Sequence, residues 1–524
     1  MHKVLYFLVF LLMTNISMAQ SDLGVKHNTD EAFDGYVLFE NTANTYLINN
    51  CGEVLNTWVG INQTDNHTKF TVDGTMMYIK NNAVYEVDWN GNVVNLVTHG
   101  DPDLLLEYES ILLPNKNYLC VARRAFTISQ FMAEGYDPGF ALPSQVDVVV
   151  ELDRTTGEIV WEWNIIDHVI QQRDPNMNNY GILSENPQLI NTDAVNTVDW
   201  NFTESFMING MDYNPELDQI VLSVRKIGEI VVIDHSTTTE EAAGSTGGRY
   251  GKGGDILYRW GNPMNYGRGT ADDRILYFQH NPNWVTDGPH KGKVIMFNNG
   301  LARPNTSIDY SSIPMITTPV DENGHYTIDD ELAFEPAVPQ INYDRNDTDT
   351  QFFSGYTSGA EVMPNQNIYV TLGQEGKLFE INPQGEVVWE YLVKWDDYIF
   401  RSEKYSKDHP IFEGKDLSPT GTVEVPSSSY NCELYTSVQE TEDLEDIDLS
   451  QNFYQPEIIK LINLKARQLR LDILNVNGQI VQSMLLQETE KEIILDNYLS
   501  GYYIARVTDL QNQLQKSFKL VIVK

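Results

Sequence analysis

GEIVWEW at residues 157–163 recurs in the chain as GEVLNTW at 52–58, GDILYRW at 254–260 and GEVVWEY at 385–391. Each copy runs from glycine and an acid through β-branched residues to an aromatic, the composition of a short strand entered from a tight turn. A second set alternates with it, a polar turn leading into a strand: LPNKNYLCVA (113–122), NPELDQIVLS (214–223) and MPNQNIYVTL (363–372). Between the two sets lie strands ending in an acid or asparagine, VVVELD (148–153), VVID (231–234) and KLFEIN (377–382). A unit built this way holds several short antiparallel strands and cannot bury its own faces. Radial stacking of such sheets gives an all-β fold, a β-propeller, whose edges are short and protected. A large array of β-sandwiches is the competing arrangement, and it accounts less well for the recurring aromatic strand ends. The spacing exceeds the ~40–45 residues of a compact blade. Phe126–Leu142, Asp167–Asn201 and Asn305–Thr350 therefore read as insertions shaping the mouth of a central channel, with a short helix expected at Asp167–Gln172.

The bulk numbers bound the function. With 524 residues, 41% hydrophobic and 11% aromatic, the chain has room for one large domain and one small one, each with a core. Lys and Arg total 35 against 74 Asp and Glu, a net charge of -39. Such a surface repels phosphate backbones, so nucleic acid is excluded as an expected partner. An anionic small molecule would need a local cationic pocket screened from the acidic surface. Three cysteines, Cys51, Cys120 and Cys432, are far apart and in no metal-ligand spacing. They are expected first as buried apolar side chains, with one disulfide allowed in an oxidising compartment.

The ends carry addresses. Residues 1–19 have Lys3, an apolar run Val4–Met13 and the small-residue site Ser17-Met18-Ala19, the pattern of a signal peptide. The apolar run is short for a membrane span, and nothing later approaches the ~20 residues one needs. The mature chain is expected to be exported without a span. Residues 20–430 read as the propeller, and 431–450 as a solvated acidic linker. Residues 451–524 read as a small β-sandwich in which Gln468–Asn475, Ile480–Leu485, Glu492–Leu495 and Tyr502–Val507 are strands and Asn477-Gly478 a turn. The oligomeric state, monomer or homodimer, stays open.

The groups able to hold an anion concentrate between Asn209 and Arg303: Arg225 at a strand end, His280 and Asn281 together, then Arg303, with Asn209 at the start. Strands are expected at Gln219–Val224, Glu229–Asp234 and Ile256–Trp260. His168 and His235 read as structural loop residues, and Trp161, Trp163, Trp260 and Trp389 as core. No D-x-[DN]-x-[DN]-G loop occurs, so no metal site is expected. Gly244–Gly254 lacks the GxxxxGK[ST] order of a phosphate loop and reads as a flexible turn between strands.

Two stretches resemble known families. LRLDILNVNGQIVQS, LDNYLSGYYIARVTD and the final KSFKLVIVK are similar to C-terminal sorting domains of proteins exported by the type IX secretion system of Bacteroidetes-type bacteria. Phe453-Tyr454-Gln455-Pro456 stands where that family has a Tyr-Pro-Asn-Pro box. The resemblance implies passage through the periplasm to the cell surface or medium, with the secretion machinery as a partner. Residues of roughly 30–420 resemble the bacterial arylsulfotransferases that work without PAPS, most densely in DYNPELDQIVLSVR, GGRYGKGGDILYRWGNP, QHNPNW, IMFNNGLARP and SGAEVMPNQN. That resemblance implies a six-bladed propeller and ping-pong transfer of a sulfuryl group from a phenolic sulfate ester to a phenol through a histidine. It points to His280 as the catalytic residue, with Arg225, Arg303, Asn209 and Asn281 binding substrate. The family pattern places histidines where this chain has Met207, Tyr108 (in Glu107-Tyr108-Glu109) and Tyr356. A catalytically degenerate propeller, acting as a cell-surface ligand-binding or interaction module, is the alternative.

Overall fold

The computed structural model describes residues 23–522 except 42–43, 62–65, 137–143, 195–205, 305, 307, 345–351, 395–397, 425–446, 452–457, 464, 466, 476–479, 496–500 and 512–514. The signal peptide, most of the acidic linker, the 453–456 box, the Asn477-Gly478 turn and Cys432 fall outside the described residues. The fold is all-β, with many antiparallel sheets and few helices.

Among the described residues the body forms six antiparallel sheets, four of them pairing their strands wholly in chain order and two taking in a strand from the other end of the body. The second to fifth sheets begin with Lys69–Phe70, Leu104–Leu112, Ile208–Asn214 and His280–Trp284. The sixth begins with Gly359–Val362 and takes in Gly24–Asn28 at its far edge. The first combines Gly35–Asn41, Asn44–Ile48 and Val54–Val59 with Glu403–Ser406 from the other end of the body. Leading strands lie side by side: Leu104–Leu112 against Ile208–Asn214, that against His280–Trp284, and that against Gly359–Val362.

The sequence repeat maps onto this order. Each GEV-type copy forms the fourth strand of a sheet, as in Ile159–Asn164 and Val387–Leu392. The acid or asparagine before it closes the turn by accepting backbone N–H groups. Asn49 Oδ1 bonds Cys51 and Glu53, Asp153 Oδ1 bonds Thr155 and Thr156, and Asn382 Oδ1 bonds Gln384 and Glu386, at 2.7–3.1 Å. In three of the four copies the repeat glycine sits in the left-handed region, φ 74° at Gly52 and Gly157 and 83° at Gly385, which is why glycine recurs there. The four tryptophans Trp161, Trp163, Trp260 and Trp389 are buried core.

Four expectations change. Asn305–Thr350, read as an insertion, supplies the third and fourth strands of the fifth sheet, Ser312–Ile316 and Ile341–Asp344; the first of these is buried along its whole length and so shows no alternation. Gln219–Val224 and Glu229–Asp234 form as read, but the third strand is shorter, Tyr258–Trp260. No α-helix opens at Asp167. A 3-10 turn, Ile165–His168, leads into a two-residue strand, because the His168 ring is pulled inward by Asp255 and the Ala242 carbonyl and stacks on Trp163. The helix in the insertions lies instead at Ile128–Ala133, started by a Thr127/Gln130 capping box. Cys51 is disulfide-bonded and Cys120 is a buried free thiol, so the expectation of three apolar cysteines is corrected at Cys51.

The tail has a three-stranded and a four-stranded sheet around Ile447, Leu471, Ile473 and Val507. Its first strand, Ile447–Gln451, starts inside the acidic run, because Ile447 and Leu449 alternate into the core there.

Lys404, on the late strand of the first sheet, is fully buried and bonds Glu380 of the sixth sheet at 2.7 Å, its ammonium 4.9 Å from the Trp389 ring centre. This joins the two ends of the body across a dry interface. Lys404→Ala strands Glu380 and is expected to cost about 3–5 kcal/mol. Denaturant unfolding of the body measures it, and an unchanged midpoint would show that the pair does not join the ends.

Candidate active site

A cavity of about 670 Å³ opens over the leading strands. His280, Arg225, Arg123 and Glu107 supply its charged or titratable chemistry; Tyr108, Tyr356, Tyr398 and Phe400 supply aromatic walls. Met207 and Thr357 complete the inner wall. Met207, Tyr108 and Tyr356, the three departures from the resembled pattern, thus meet at one place with His280. The backbone is bent in step: Tyr108, Met207, Phe278 and Thr357 have φ of 59°, 61°, 59° and 57°. Non-glycine residues held in the left-handed region cost on the order of 1–3 kcal/mol each and cluster at functional sites. At Met207 the cost is offset by Asp147, whose carboxylate accepts from the N–H groups of Phe206, Met207 and Ile208 at 2.9–3.0 Å.

His280 begins the leading strand of the fifth sheet and is buried. Its Nδ1 lies 2.6 Å from Asn299 Oδ1. Asn299 spends its amide N–H groups on the carbonyls of Ser354 and Thr357, at 2.7 and 3.0 Å, so its oxygen is the acceptor toward the ring. The network therefore assigns the ring proton to Nδ1 and the lone pair to Nε2. Burial, then the Arg225 charge, holds the imidazole down to about 3, so it is neutral at ordinary pH. Arg225 opens a 3-10 turn, Arg225–Ile227, that the left-handed Gly228 closes. Its guanidinium lies 4.7 Å from the Phe278 ring centre and 3.4 Å from Met207 Sδ.

Arg123 was not singled out from sequence, because a strand arginine is ordinarily solvated. It is buried on the strand next to Tyr108, ion-paired with Glu107 and bonded to Gln145 Oε1 at 3.0 Å.

A second, smaller cavity of about 120 Å³ is lined by a charge network. Glu109 bonds His67 at 2.9 Å and Lys69 at 2.5 Å, and pairs with Arg401. Burial alone would raise the Glu109 carboxyl, but Lys69, Arg401 and His67 hold it well below the usual range. Burial pushes Asp212 up to about 6, and burial with the Glu403 charge pushes Glu361 up to about 8. Among the described residues no cluster of His, Cys, Asp and Glu is arranged to hold a metal ion.

The sequence-derived residues divide between these places. His280 and Arg225 share the large cavity. Asn281 lines the small one, its Oδ1 accepting from Ala360 N at 3.0 Å. Asn209 is buried and donates to the Gln279 carbonyl at 2.9 Å, tying the leading strands of the fourth and fifth sheets together. Arg303 is not among the described residues lining either cavity; it donates to the Tyr310 carbonyl and Ser312 Oγ, both at 3.1 Å.

The chain is thus an all-β protein with a buried neutral imidazole beside arginines in an aromatic-walled cavity, followed by a small domain of two sheets. The arylsulfotransferase (ASST) family model matches residues 22–391, and the chain belongs to that family. The secretion system C-terminal sorting domain matches residues 457–523 and directs the protein to secretion or the cell surface by the type IX machinery. No helix among the described residues is long and apolar enough to cross a membrane. A comparison with curated proteins finds no match. Among solved structures, a Bacteroides caccae protein of unknown function is 11% identical over 70% of this chain and 98% of that one, with TM-score 0.39. A catalytically inactive virginiamycin B lyase from Staphylococcus aureus, solved with quinupristin, is 10% identical over 72% and 90%, with TM-score 0.32.

The imidazole makes a signed prediction. Its folded pKa lies below the ~6.5 of an unfolded histidine, so the unfolded chain takes up the proton first. The stability it contributes is complete above pH 6.5 and is lost as pH falls toward 3. Nitrogen NMR of labelled histidine is expected to show the neutral Nδ1–H tautomer of His280 from pH 5 to 8; an imidazolium signal growing in near pH 6.5 would contradict the assignment.

Proposed function

We propose that the six sheets close as a six-bladed β-propeller and that His280 carries sulfuryl groups from a phenolic sulfate ester to a phenol. The Nε2 lone pair attacks sulfur, the S–O bond to the aryl oxygen breaks, and the phenolate leaves with the electron pair. An acceptor phenol oxygen then attacks the same sulfur, the S–N bond breaks, and Nε2 recovers its lone pair. The overall exchange converts one aryl sulfate and one phenol into another aryl sulfate and phenol. The observation carrying this reading is the Asn299 bond, which leaves Nε2 unprotonated in a cavity that also holds Arg225.

Arg225 and Arg123 supply positive charge for the sulfonate oxygens, at ~1.5–3 kcal/mol per charge-assisted bond. Tyr108, Tyr356, Tyr398 and Phe400 supply faces and edges for the phenolic ring. Asn209 and Asn281 act on this reading by fixing the strands that carry His280, and Arg303 stands outside the transfer step. One feature favours a second reading, a degenerate propeller that binds an aryl sulfate without turning it over. Met207, Tyr108 and Tyr356 occupy the cavity where the family pattern has histidines, and methionine can neither donate a hydrogen bond nor transfer a proton.

With 4-nitrophenyl sulfate as donor and phenol as acceptor, the wild type is expected to release 4-nitrophenolate and form phenyl sulfate. Mass spectrometry of protein quenched without acceptor is expected to find a sulfonated His280. His280→Ala should lower turnover on the order of 10³-fold or more, and Arg225→Gln about 10²-fold. Binding of the donor without release, in wild type, would establish the second reading; equal turnover by His280→Ala would remove His280 from the chemistry.

A further inference from the structure

The second half of the transfer leaves a proton unaccounted for. An acceptor phenol has a pKa near 10 and must lose its proton as its oxygen bonds to sulfur. His280 cannot take it, since Nε2 then carries the sulfuryl group and Nδ1 is committed to Asn299. The positions where the family pattern would offer further imidazoles hold Met207, Tyr108 and Tyr356, none of which is a base near neutrality. Arg123 and Arg225 are permanently protonated.

We propose that Glu107 is the general base for the acceptor, an inference that rests on the sulfuryl-transfer reading above. Among the described residues lining the large cavity it is the only carboxylate. Glu109, two residues on along the same strand, lines the small cavity and is held there by His67, Lys69 and Arg401. Arg123 fixes one Glu107 oxygen through an ion pair and is itself braced by Gln145, which orients the carboxylate without relying on the mobile solvent. Arg123 is thus a positioning residue, and its charge also opposes the cost of a developing phenolate.

The step balances as follows. The phenol O–H bond breaks and its proton passes to a Glu107 carboxylate oxygen while the phenol oxygen bonds to sulfur. The S–N bond breaks and its electron pair returns to Nε2. The protonated Glu107 then gives its proton to water, or to the next departing phenolate. Proton loss concerted with O–S bond formation suits a carboxylate, because the phenol becomes more acidic as attack proceeds. Catalysis of this kind is worth about 10²–10⁴-fold.

The test compares two acceptors with 4-nitrophenyl sulfate as donor: phenol, neutral at pH 7, and a polyhalogenated phenol already ionised there. In Glu107→Gln the amide oxygen can still accept from Arg123. Transfer to phenol is expected to fall at least about 10²-fold, while the burst of 4-nitrophenolate, the sulfonated His280 and transfer to the ionised acceptor stay as in wild type. The residual rate with phenol should rise about tenfold per pH unit, tracking phenolate. A second measurement needs no variant: the wild-type acceptor step should show a solvent deuterium isotope effect with phenol and none with the ionised acceptor. Equal losses with both acceptors, or no loss with phenol, would overturn the assignment, as would an absent isotope effect. A wild type that never forms sulfonated His280 removes the transfer reading itself, and this proposal with it; a sulfonated enzyme indifferent to Glu107→Gln removes only the base.

Discussion

The bond from His280 to Asn299 sets the terms for everything else in the large cavity. An imidazole is a nucleophile only through an unprotonated nitrogen, and which nitrogen that is depends on the acceptor facing the other one. Asn299 could present either its oxygen or its amide, and two carbonyls decide the matter, those of Ser354 and Thr357. Both come from the segment leading into the sixth sheet, whereas His280 starts the fifth sheet and Asn299 lies in the loop after its second strand, Val294–Phe297. Docking of one sheet on the next therefore fixes a tautomer. The left-handed turn at Thr357 aims one of those carbonyls, so its backbone strain has a definite use.

The same geometry answers how a chain of net charge -39 could accept an anion. Surface charges are screened beyond a Debye length of about 8 Å at physiological ionic strength, whereas buried ones act at lower effective dielectric. Arg225 and Arg123 are buried, and Arg401, braced beneath by Glu109, adds a further field that disfavours imidazolium. Burial also limits competition. On the proposed reading, a neutral His280 cannot neutralise an incoming sulfonate by protonation, which would leave binding to the arginines and bond formation to the imidazole.

Much of this was legible in the chain. In three of the four repeats the glycine marks a turn and the acid or asparagine before it is the side chain that closes the turn, while the β-branched run marks the strand. These are local signals, set by φ and by hydrogen bonds spanning four residues. What could not be read were contacts that depend on how sheets meet. Asn299 lay within a stretch that resembles the family and still had no visible partner, because Ser354 and Thr357 are more than fifty residues away. Nothing local marks Arg123 or the pairing of Glu107 with it, because their place on the cavity wall follows from how the leading strands converge. The helix expected at Asp167–Gln172 failed for the same reason: it was locally plausible, and the contact of His168, structural as read, to Asp255, eighty-seven residues on, overrode it. Arg303 reversed the error, a cation near the right motif whose donors are spent on its own loop.

Met207, Tyr108 and Tyr356, standing where the resembled pattern has histidines, bear on the balance of the cavity more than on its shape. Two of the three positions are aromatic, and each sits beside another ring. Tyr108 lies 6.1 Å from Phe400 with planes 16° apart, and Tyr356 lies 5.6 Å from Tyr398 edge to face at 82°. An imidazole facing a sulfonate contributes a charge-assisted bond of ~1.5–3 kcal/mol; an aromatic pair contributes ~0.5–1.5 kcal/mol beyond the area it covers, and only toward a ring. On the proposed reading, that exchange would shift recognition from the sulfonate head to the aryl group, and from groups that can move protons to groups that cannot at neutral pH. Binding of an aryl ring costs such a cavity little. Moving a proton costs it more, and among its described walls the carboxylate of Glu107 is the group left to do so.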